Sequence, residues 1–549
     1  TAARTFNLVV TANDPLYQYQ WHLDNTGQTN FASNAGSSGN DHNVAGAITD
    51  GYTGNGIIVA VTDSGLQIAH EDLAANVVSN GSWDFPNGDN DPTPSGTGGD
   101  HGTSVAGLIA SVGWNAKGGR GVAPGASLKG FNINASGATE AHLLQALGSS
   151  FSRSADVDIF NLSWGADRSY DSLANATREA TFENGANNLR SGKGALYVRS
   201  SGNGFTSYAG VTCSSVWGNY NNGEHSCQNG NHEPDQTHPE GINVGALTAT
   251  GVLSSYSTAG STLWVAGSGG EQGKSASGGK PAMLTTDVAG CSAGYVRSGG
   301  GYQDNAFDNQ GNHSLNSSCN YVTSFNGTSS AAPVVAGGIA MILEAKPALT
   351  WRDVKHILAS TSDQVHADFG ARSETTTGGS TLVVEPGWLT NGAGYKFHNW
   401  YGFGRINVTA AVALAKTMTA NNLGTFTESS WQSSSAIRAT IPRANVGGVT
   451  HSLSVSGANF IEAVQIKVNI AHTCTGALQI ELTSPAGTKS VLKNAFDGFG
   501  GDHNLDDMVL LSNAFYGESK AGRWSIRVID GYGCASGSLI KWHIRFYGH

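Results

Sequence analysis

Apolar residues recur with one rhythm up to about residue 420 and with another beyond it. In the first stretch, short β-branched runs (Gly56–Asp63, Val157–Ser163, Ala195–Ser200) alternate with helix-like segments at His101–Val112, Leu143–Phe151, Ser329–Leu343 and Ala410–Ala420. Strand followed by helix, repeated, predicts an α/β domain whose mostly parallel sheet is covered on both faces. In the second stretch the period drops to two, in Leu453–Ser456, Ala463–Ile470, Leu478–Ser484, Trp524–Ile529 and Ile540–Tyr547. Such a series predicts an antiparallel, jelly-roll-like β-sandwich. The expected domains are 1–420 and 421–549.

Composition narrows what such a chain does. It has 549 residues with 30 Lys+Arg against 41 Asp+Glu, a formal net charge of -11. That balance argues against a nucleic-acid partner held through phosphates and favours cationic ones. No uncharged apolar run reaches the ~18 residues of a membrane span; the longest, Ala331–Leu343, contains Pro333 and two glycines. A soluble chain without a membrane partner is expected. The 6 cysteines form no Cys-x-x-Cys and fall into three pairs of near neighbours, so Cys213–Cys227, Cys291–Cys319 and Cys474–Cys534 are the expected disulfides. Paired cysteines suit export to an oxidising compartment.

Chemistry enters with three short motifs. Asp63 ends a strand in Val61-Thr-Asp-Ser-Gly65, His101 lies in Gly99-Asp-His-Gly-Thr-Ser-Val-Ala-Gly107, and Ser329 lies in Asn326-Gly-Thr-Ser-Ser-Ala-Ala-Pro333. Acyl transfer to a hydroxyl needs a nucleophile, an imidazole to take its proton, a carboxylate to orient the imidazole, and oxyanion donors. Each motif alone reads as a turn; together, in the order Asp, His, Ser, they resemble the subtilisin superfamily. Asn203, in Ser200-Ser-Gly-Asn-Gly204, matches the oxyanion asparagine of that family. The resemblance implies Ser329 as nucleophile rather than its neighbour Ser330, His101 as general base then acid, and Asp63 as the orienting carboxylate.

Finer matches resemble the kexin/furin-like proprotein convertases: Asp14-Pro with Gln20-Trp-His-Leu23, Ser163-Trp-Gly165, Leu349-Thr-Trp-Arg-Asp-Val354, Trp388-Leu-Thr-Asn-Gly392, and a tail with Ser484-Pro-Ala-Gly-Thr488 and Gly522-Arg-Trp524 similar to their P domain. The expected fold is therefore a subtilisin-like α/β domain followed by a P domain, with insertions near 261–281, 289–322 and 366–386. The expected activity is serine endopeptidase cleavage after Arg or Lys in protein or peptide substrates. Ser163, Trp164 and Gly165 are the expected substrate-binding edge, and Asp235 the expected acid of the pocket before the scissile bond. Ser64 and Ala146 stand where convertases carry further pocket acids, and the second acid of the main pocket aligns with Asp167 or Arg168. Weak demands at the preceding substrate positions follow. A broad-specificity subtilase, or a degenerate protease whose sandwich is a binding module, are the alternatives.

The resemblance further implies Ca2+ held by Asp14, Asp72, Asn115 and the carbonyls of Val112, Lys117 and Gly119. A second site is partly kept in Asp84, Asp89 and Asp91, although Thr93 replaces a family carboxylate; a third is lost at Arg168 and Thr258. The insertion at 289–322 is read as either a rim of the cleft or surface decoration. Gly267–Ser275 resembles a phosphate loop with the wrong glycine spacing, and His232-Glu233 lacks the second histidine of a zinc motif. The remaining expectations are a monomer secreted by a bacterium, matured with either a removed propeptide or a separate folding chaperone.

Overall fold

The computed structural model describes residues 13–95, 100–165, 176–208, 210–221, 223–297, 299, 303–499 and 504–549; Asp167 and Arg168 lie outside them. A seven-stranded, wholly parallel sheet forms the centre of the first domain. Its strands are β1 (Ile58–Asp63), β2 (Trp83–Asp84), β3 (Ser127–Asn132), β4 (Ile159–Leu162), β5 (Leu196–Ser200), β6 (Gly241–Leu247) and β7 (Leu263–Ser268), in the spatial order β2-β3-β1-β4-β5-β6-β7. Parallel strands buried on both faces need no alternation, which is why β1, β4 and β5 read as continuous apolar runs. The segment expected to be an insertion from residue 261 contains β7, whose six residues are all buried. Its Gly267 and the glycines that follow disguised a sheet strand as a loop, because a Cβ at Gly267 would meet the Ala331 carbonyl at 2.5 Å.

Two helices carry the chemistry-bearing motifs. Helix α1 (Asp100–Ala110) packs against β1 and against a hairpin of β8 (Met283–Thr286) and β9 (Tyr321–Phe325). Helix α2 (Thr328–Ala345) runs through the core, with Ala331, Val334, Val335 and Ile339 fully buried. It is long and apolar enough to cross a membrane, yet most of it is packed inside this domain. Helices α3 (Trp351–Thr361), opened by a Thr350–Asp353 capping box, and α4 (Val408–Thr417) complete the layer.

The second domain is a sandwich of two antiparallel sheets. Strands β10 (Val449–Val455), β11 (Ile461–Ala471), β12 (Leu478–Thr483), β13 (Lys489–Lys493), β14 (Leu505–Ser512), β15 (Gly522–Asp530) and β16 (Gly537–Gly548) are arranged as β14-β11-β16 and β10-β15-β12-β13. Their inward residues form one core around Trp524, Trp542 and Phe515. The hairpin Arg372–Thr375/Thr381–Glu385, inside the 366–386 insertion, reaches this domain: Leu382 packs with Phe496 and Ile529, and Gln479 donates to the Val383 carbonyl at 2.9 Å. All three expected disulfides are present.

Candidate active site

Asp63 stands at the carboxyl end of β1, near the middle of the sheet, and the chain turns sharply through Gly65 at a φ of 119°. Open α/β sheets place their sites at this end of the strands. Helix α1 lies so close to the turn that a Cβ on Gly102 would come within 1.9 Å of the Gly65 carbonyl. Glycine after His101 is therefore a packing requirement. His101, the second residue of α1, directs Nδ1 to Asp63 Oδ1 at 2.8 Å, and the same oxygen accepts the Ser64 N–H at 2.7 Å. Burial alone would lower the His101 pKa, but the charge of Asp63 and its hydrogen bond outweigh that and raise it above 6.5. An imidazole held through Nδ1 presents Nε2 as its base.

Ser329 is the second residue of α2, beyond Gly327, which takes a φ of 100° that favours glycine. Pro333, four residues on, has no N–H to offer the Ser329 carbonyl. Ser163 fills that gap, its hydroxyl donating to the Ser329 carbonyl at 2.9 Å, while the Ser329 hydroxyl donates to the Ser163 carbonyl at 3.0 Å. The strand end β4 is thus latched to the head of α2. The Ser329 hydroxyl is thus engaged with Ser163 rather than with His101; catalytic hydrogen bonds are often unmade until substrate binds. Asn203 uses its Oδ1 to accept from the Thr328 N–H at 2.9 Å and the Thr328 hydroxyl at 3.1 Å, so its amide NH2 is held away from that contact.

A cavity of about 250 Å³ opens beside these groups, lined by Trp164, Gly165, Asn203, Gln228, Glu233 and Ser329 among others. Ser163 does not line it but is bonded to Ser329, which does, and the Trp164 indole is fixed by donating to the Thr62 carbonyl at 2.9 Å. The acid in the cavity wall is Glu233. Asp235, the expected pocket acid, does not line it; its carboxylate contacts Arg178 at 2.9 Å and Arg199 at 3.4 Å. Glu233 accepts from Arg199 at 3.0 Å and from the Gln228 amide at 3.2 Å. Burial raises the Glu233 pKa, opposed by Arg199, whose guanidinium also lies over the Trp164 ring at 4.9 Å. Glu233 and Gln228 are not evident in the sequence because they lie beside two short 3-10 turns, Gly230–His232 and Pro234–Gln236, which carry no periodic signal. The His232-Glu233 pair set aside as a failed zinc motif was the available signal.

The 289–322 insertion begins beside the imidazole. Asp287 accepts the N–H groups of Tyr295 and Val296 at 2.9 and 3.0 Å, and Arg297 pairs with Asp100 at 2.9 Å. Tyr295 packs on Phe325, which packs edge-on against His101 with ring centroids 5.4 Å apart.

The expected Ca2+ ligands divide into two cases. Asp14, Asp72 and Asn115 converge: Asn115 donates to Asp72 at 2.7 Å, and Asp14 accepts the N–H groups of Trp114 and Asn115 at 2.9 and 3.0 Å. Asp72 Oδ2 is buried without a partner and burial pushes this carboxyl up to about 8. A Cβ on Gly118 would sit 2.4 Å from that oxygen and 2.3 Å from the Tyr321 ring, so only glycine lets the turn approach Asp72 this closely. These features fit a cation at Asp72, whereas Asp14 is also taken by Arg120 at 2.8 Å. The carbonyls of Val112, Lys117 and Gly119 belong to the same turn, in which Trp114 and Ala116 take positive φ. By contrast, Asp84 accepts from Asn87 and Asn132, Asp89 from the Asp91 N–H, and Asp91 from the Thr93 N–H. Each closes its own turn, and among the described residues no group of three or more Asp, Glu, His or Cys side chains converges as a metal cluster.

Comparison with known proteins bears on the whole chain. Residues 54–404 match the subtilase family and residues 461–546 the proprotein convertase P-domain. The extracellular serine protease of Aeromonas sobria is 38% identical over 546 residues, covering 94% of this chain and 84% of that protein. A crystal structure of the serine protease of Aeromonas sobria superimposes with a TM-score of 0.89 at 33% identity, over 100% of this chain and 99% of that one. A second crystal structure, of that protease in complex with the chaperone ORF2, gives a TM-score of 0.89 at 34% identity over 98% and 95% of the two chains. The chain belongs to the subtilase family of serine endopeptidases and carries a proprotein-convertase P domain behind its catalytic domain.

Proposed function

We propose that this subtilase cleaves peptide bonds after Arg or Lys, with Ser329 as nucleophile, His101 as general base then acid, Asp63 orienting it, and Asn203 with the Ser329 N–H as oxyanion donors. The Ser329 hydroxyl leaves the Ser163 carbonyl, gives its proton to His101 Nε2 and attacks the substrate carbonyl carbon. Negative charge on the carbonyl oxygen meets the Asn203 amide and the N-terminus of α2. Collapse expels the amine, protonated by His101, and water then repeats the sequence on the acyl-enzyme. The extended peptide lies along Ser163-Trp164-Gly165.

The observation that carries the basic preference is the charge around the cavity. Among the described residues, Arg178 pairs with Glu140 through two contacts of 2.6 Å and with Asp235 at 2.9 Å, while Arg199 pairs with Glu233 at 3.0 Å and lies 3.4 Å from Asp235. Two guanidinium groups thus face three carboxylates, and a substrate guanidinium or ammonium at the cavity completes the balance. Asp235 acts from behind, by drawing Arg199 off Glu233. Because Glu233 is already partly neutralised, the preference is weaker than for a bare acid.

Ca2+ is assigned to Asp72, Asn115 and the carbonyls of Val112, Lys117 and Gly119, with Asp14 adding charge; when bound it cross-links the turn and takes no part in bond breaking. Asp84, Asp89 and Asp91 are left with turn-closing roles. Three disulfides and the extracellular name of the Aeromonas sobria relative support secretion. The chaperone bound to that relative supports a separate folding helper here.

The test is a cleavage profile on an unbiased peptide pool, with Ser329→Ala as the inactive blank. Wild type is expected to favour Arg and Lys at the cleaved bond, and Glu233→Gln to reduce the Arg-over-Leu ratio by about tenfold or more, the loss of a pocket charge pair. Equal wild-type rates after Arg and Leu would establish a broad-specificity subtilase instead.

A further inference from the structure

The segment 226–237 has two faces. One supplies Gln228 and Glu233 to the cavity beside Ser329. The other is bound along its length by the P domain. Asn231, fully buried, donates to the carbonyls of Leu492 and Leu511 at 2.9 and 3.2 Å and accepts the Leu511 N–H at 2.7 Å. Asn494 accepts from Asn229 at 3.1 Å and donates to the Ser226 carbonyl at 3.0 Å. The Gly498 N–H donates to the Cys227 carbonyl at 2.7 Å, and Gln465 donates to the Thr237 carbonyl at 2.6 Å.

At the centre of this contact lies a buried ionic group. The Asn229 N–H donates to His232 Nδ1 at 3.2 Å, so Nε2 carries the imidazole proton and donates to Asp497 at 3.1 Å. Lys493 meets the same carboxylate oxygen at 2.8 Å and satisfies its other protons on the carbonyls of Thr475 and Leu478. None of the three side chains is exposed. Apolar residues would close such an interface at least as firmly, and the best-attested use of a buried ionic group is to fix one arrangement among several. Here the arrangement fixed is that of His232, whose next residue is Glu233.

We infer that the P domain sets the substrate preference of the catalytic domain, with Asp497 and Asn494 as positioning residues that hold Glu233 and Gln228 in the cavity wall. This rests on the reading of Glu233 as the acid that meets the substrate. The chain of contact is short: Asp497 to His232, His232 covalently to Glu233, Glu233 to Gln228, and Gln228 against Gly202 and Gly204 on either side of Asn203, where a Cβ would come within 2.8 and 2.3 Å of its amide oxygen. The bond-breaking groups Asp63, His101 and Ser329 take no hydrogen bond or ion pair from the P domain among the described residues. Selection is therefore coupled to the second domain while chemistry is not.

The experiment compares full-length wild type with Asp497→Asn, the milder Asn494→Ser, and Glu462→Gln. The last weakens a different interdomain contact, the Arg352 pair of Glu462, together with the His549 pair inside the P domain, with none to the 226–237 segment. For each, kcat/KM is measured on matched Arg and Leu peptides well below the variant's Tm, together with the rate of inactivation by a small sulfonyl fluoride that reports Ser329 alone. Asp497→Asn is expected to lower the Arg-over-Leu ratio about tenfold, as a small displacement of a binding group does, and Asn494→Ser to lower it less. Glu462→Gln should leave the ratio at the wild-type value, and sulfonyl fluoride inactivation should hold in all three. If Asp497→Asn does not fold, Asn494→Ser decides. An unchanged ratio in the folded variants, with only Tm reduced, would overturn the inference. If Glu233→Gln itself leaves the ratio unchanged, the fault lies in the reading of Glu233, and a drop in Asp497→Asn would then have to act through Gln228.

Discussion

At the scale of single residues, the pairing of His101 with Asp63 has a measurable consequence. A pKa raised above 6.5 means that the imidazole is protonated, and unable to accept the Ser329 proton, at pH values where an ordinary histidine would already be free. As pH falls through that raised pKa, activity is lost. The acid limb of kcat/KM for the free enzyme is therefore expected above pH 6.5, and His101 should titrate in step with it by NMR; a limb well below that value would separate the imidazole from Asp63. The proposed triad could be read from the sequence because each member sits in a turn that its neighbours dictate: Gly65 after Asp63, Gly102 after His101, Gly327 before Ser329. Glu233 was not legible for the opposite reason. Its direction is imposed by Asn231 and His232, which are held by residues more than two hundred positions away.

At the scale of elements, the closeness of α1 to the β1 turn is the tightest constraint on the site. Gly102→Ala would push a methyl into the Gly65 carbonyl, and overpacking of this order costs about 1–3 kcal/mol. A lower Tm with a reduced fraction of titratable active sites is expected; wild-type values for both would mean that helix and turn are not in fact in contact. The strand and helix rhythm of the sequence marks most of these elements. It failed at β7, where glycine served close approach to α2 instead of flexibility, and so mimicked a loop. The 289–322 insertion was legible as an insertion, but its position was not: Arg297 on Asp100 and Tyr295 on Phe325 place its first turn beside His101.

At the scale of the whole molecule, the net charge of -11 resolves into local assignments. One carboxylate is bonded to His101, two share Arg199 by the cavity, and Asp72 keeps an unpartnered buried oxygen beside the 112–119 turn, where Ca2+ is proposed. Thorough chelation is accordingly expected to lower Tm without changing the cleavage profile of the surviving enzyme; an unchanged Tm would remove Ca2+ from the account. The change of rhythm near residue 420 announced two domains, but nothing in either rhythm announced that the second completes the first. That completion depends on residues such as Asn231 and Asn513, which read in the sequence as ordinary loop amides and in the fold are buried at the seam.

The seam also imposes an order on synthesis. A ribosome delivers Asp63, His101, Asn203 and Ser329 first, and the residues that brace the 226–237 segment only much later, from Gln465 to Leu511. Domains emerging in sequence generally fold as they appear. The residues proposed to break the bond thus precede those proposed to brace the pocket wall. On the proposed role of Glu233, selectivity is the property whose determinants come last along the chain.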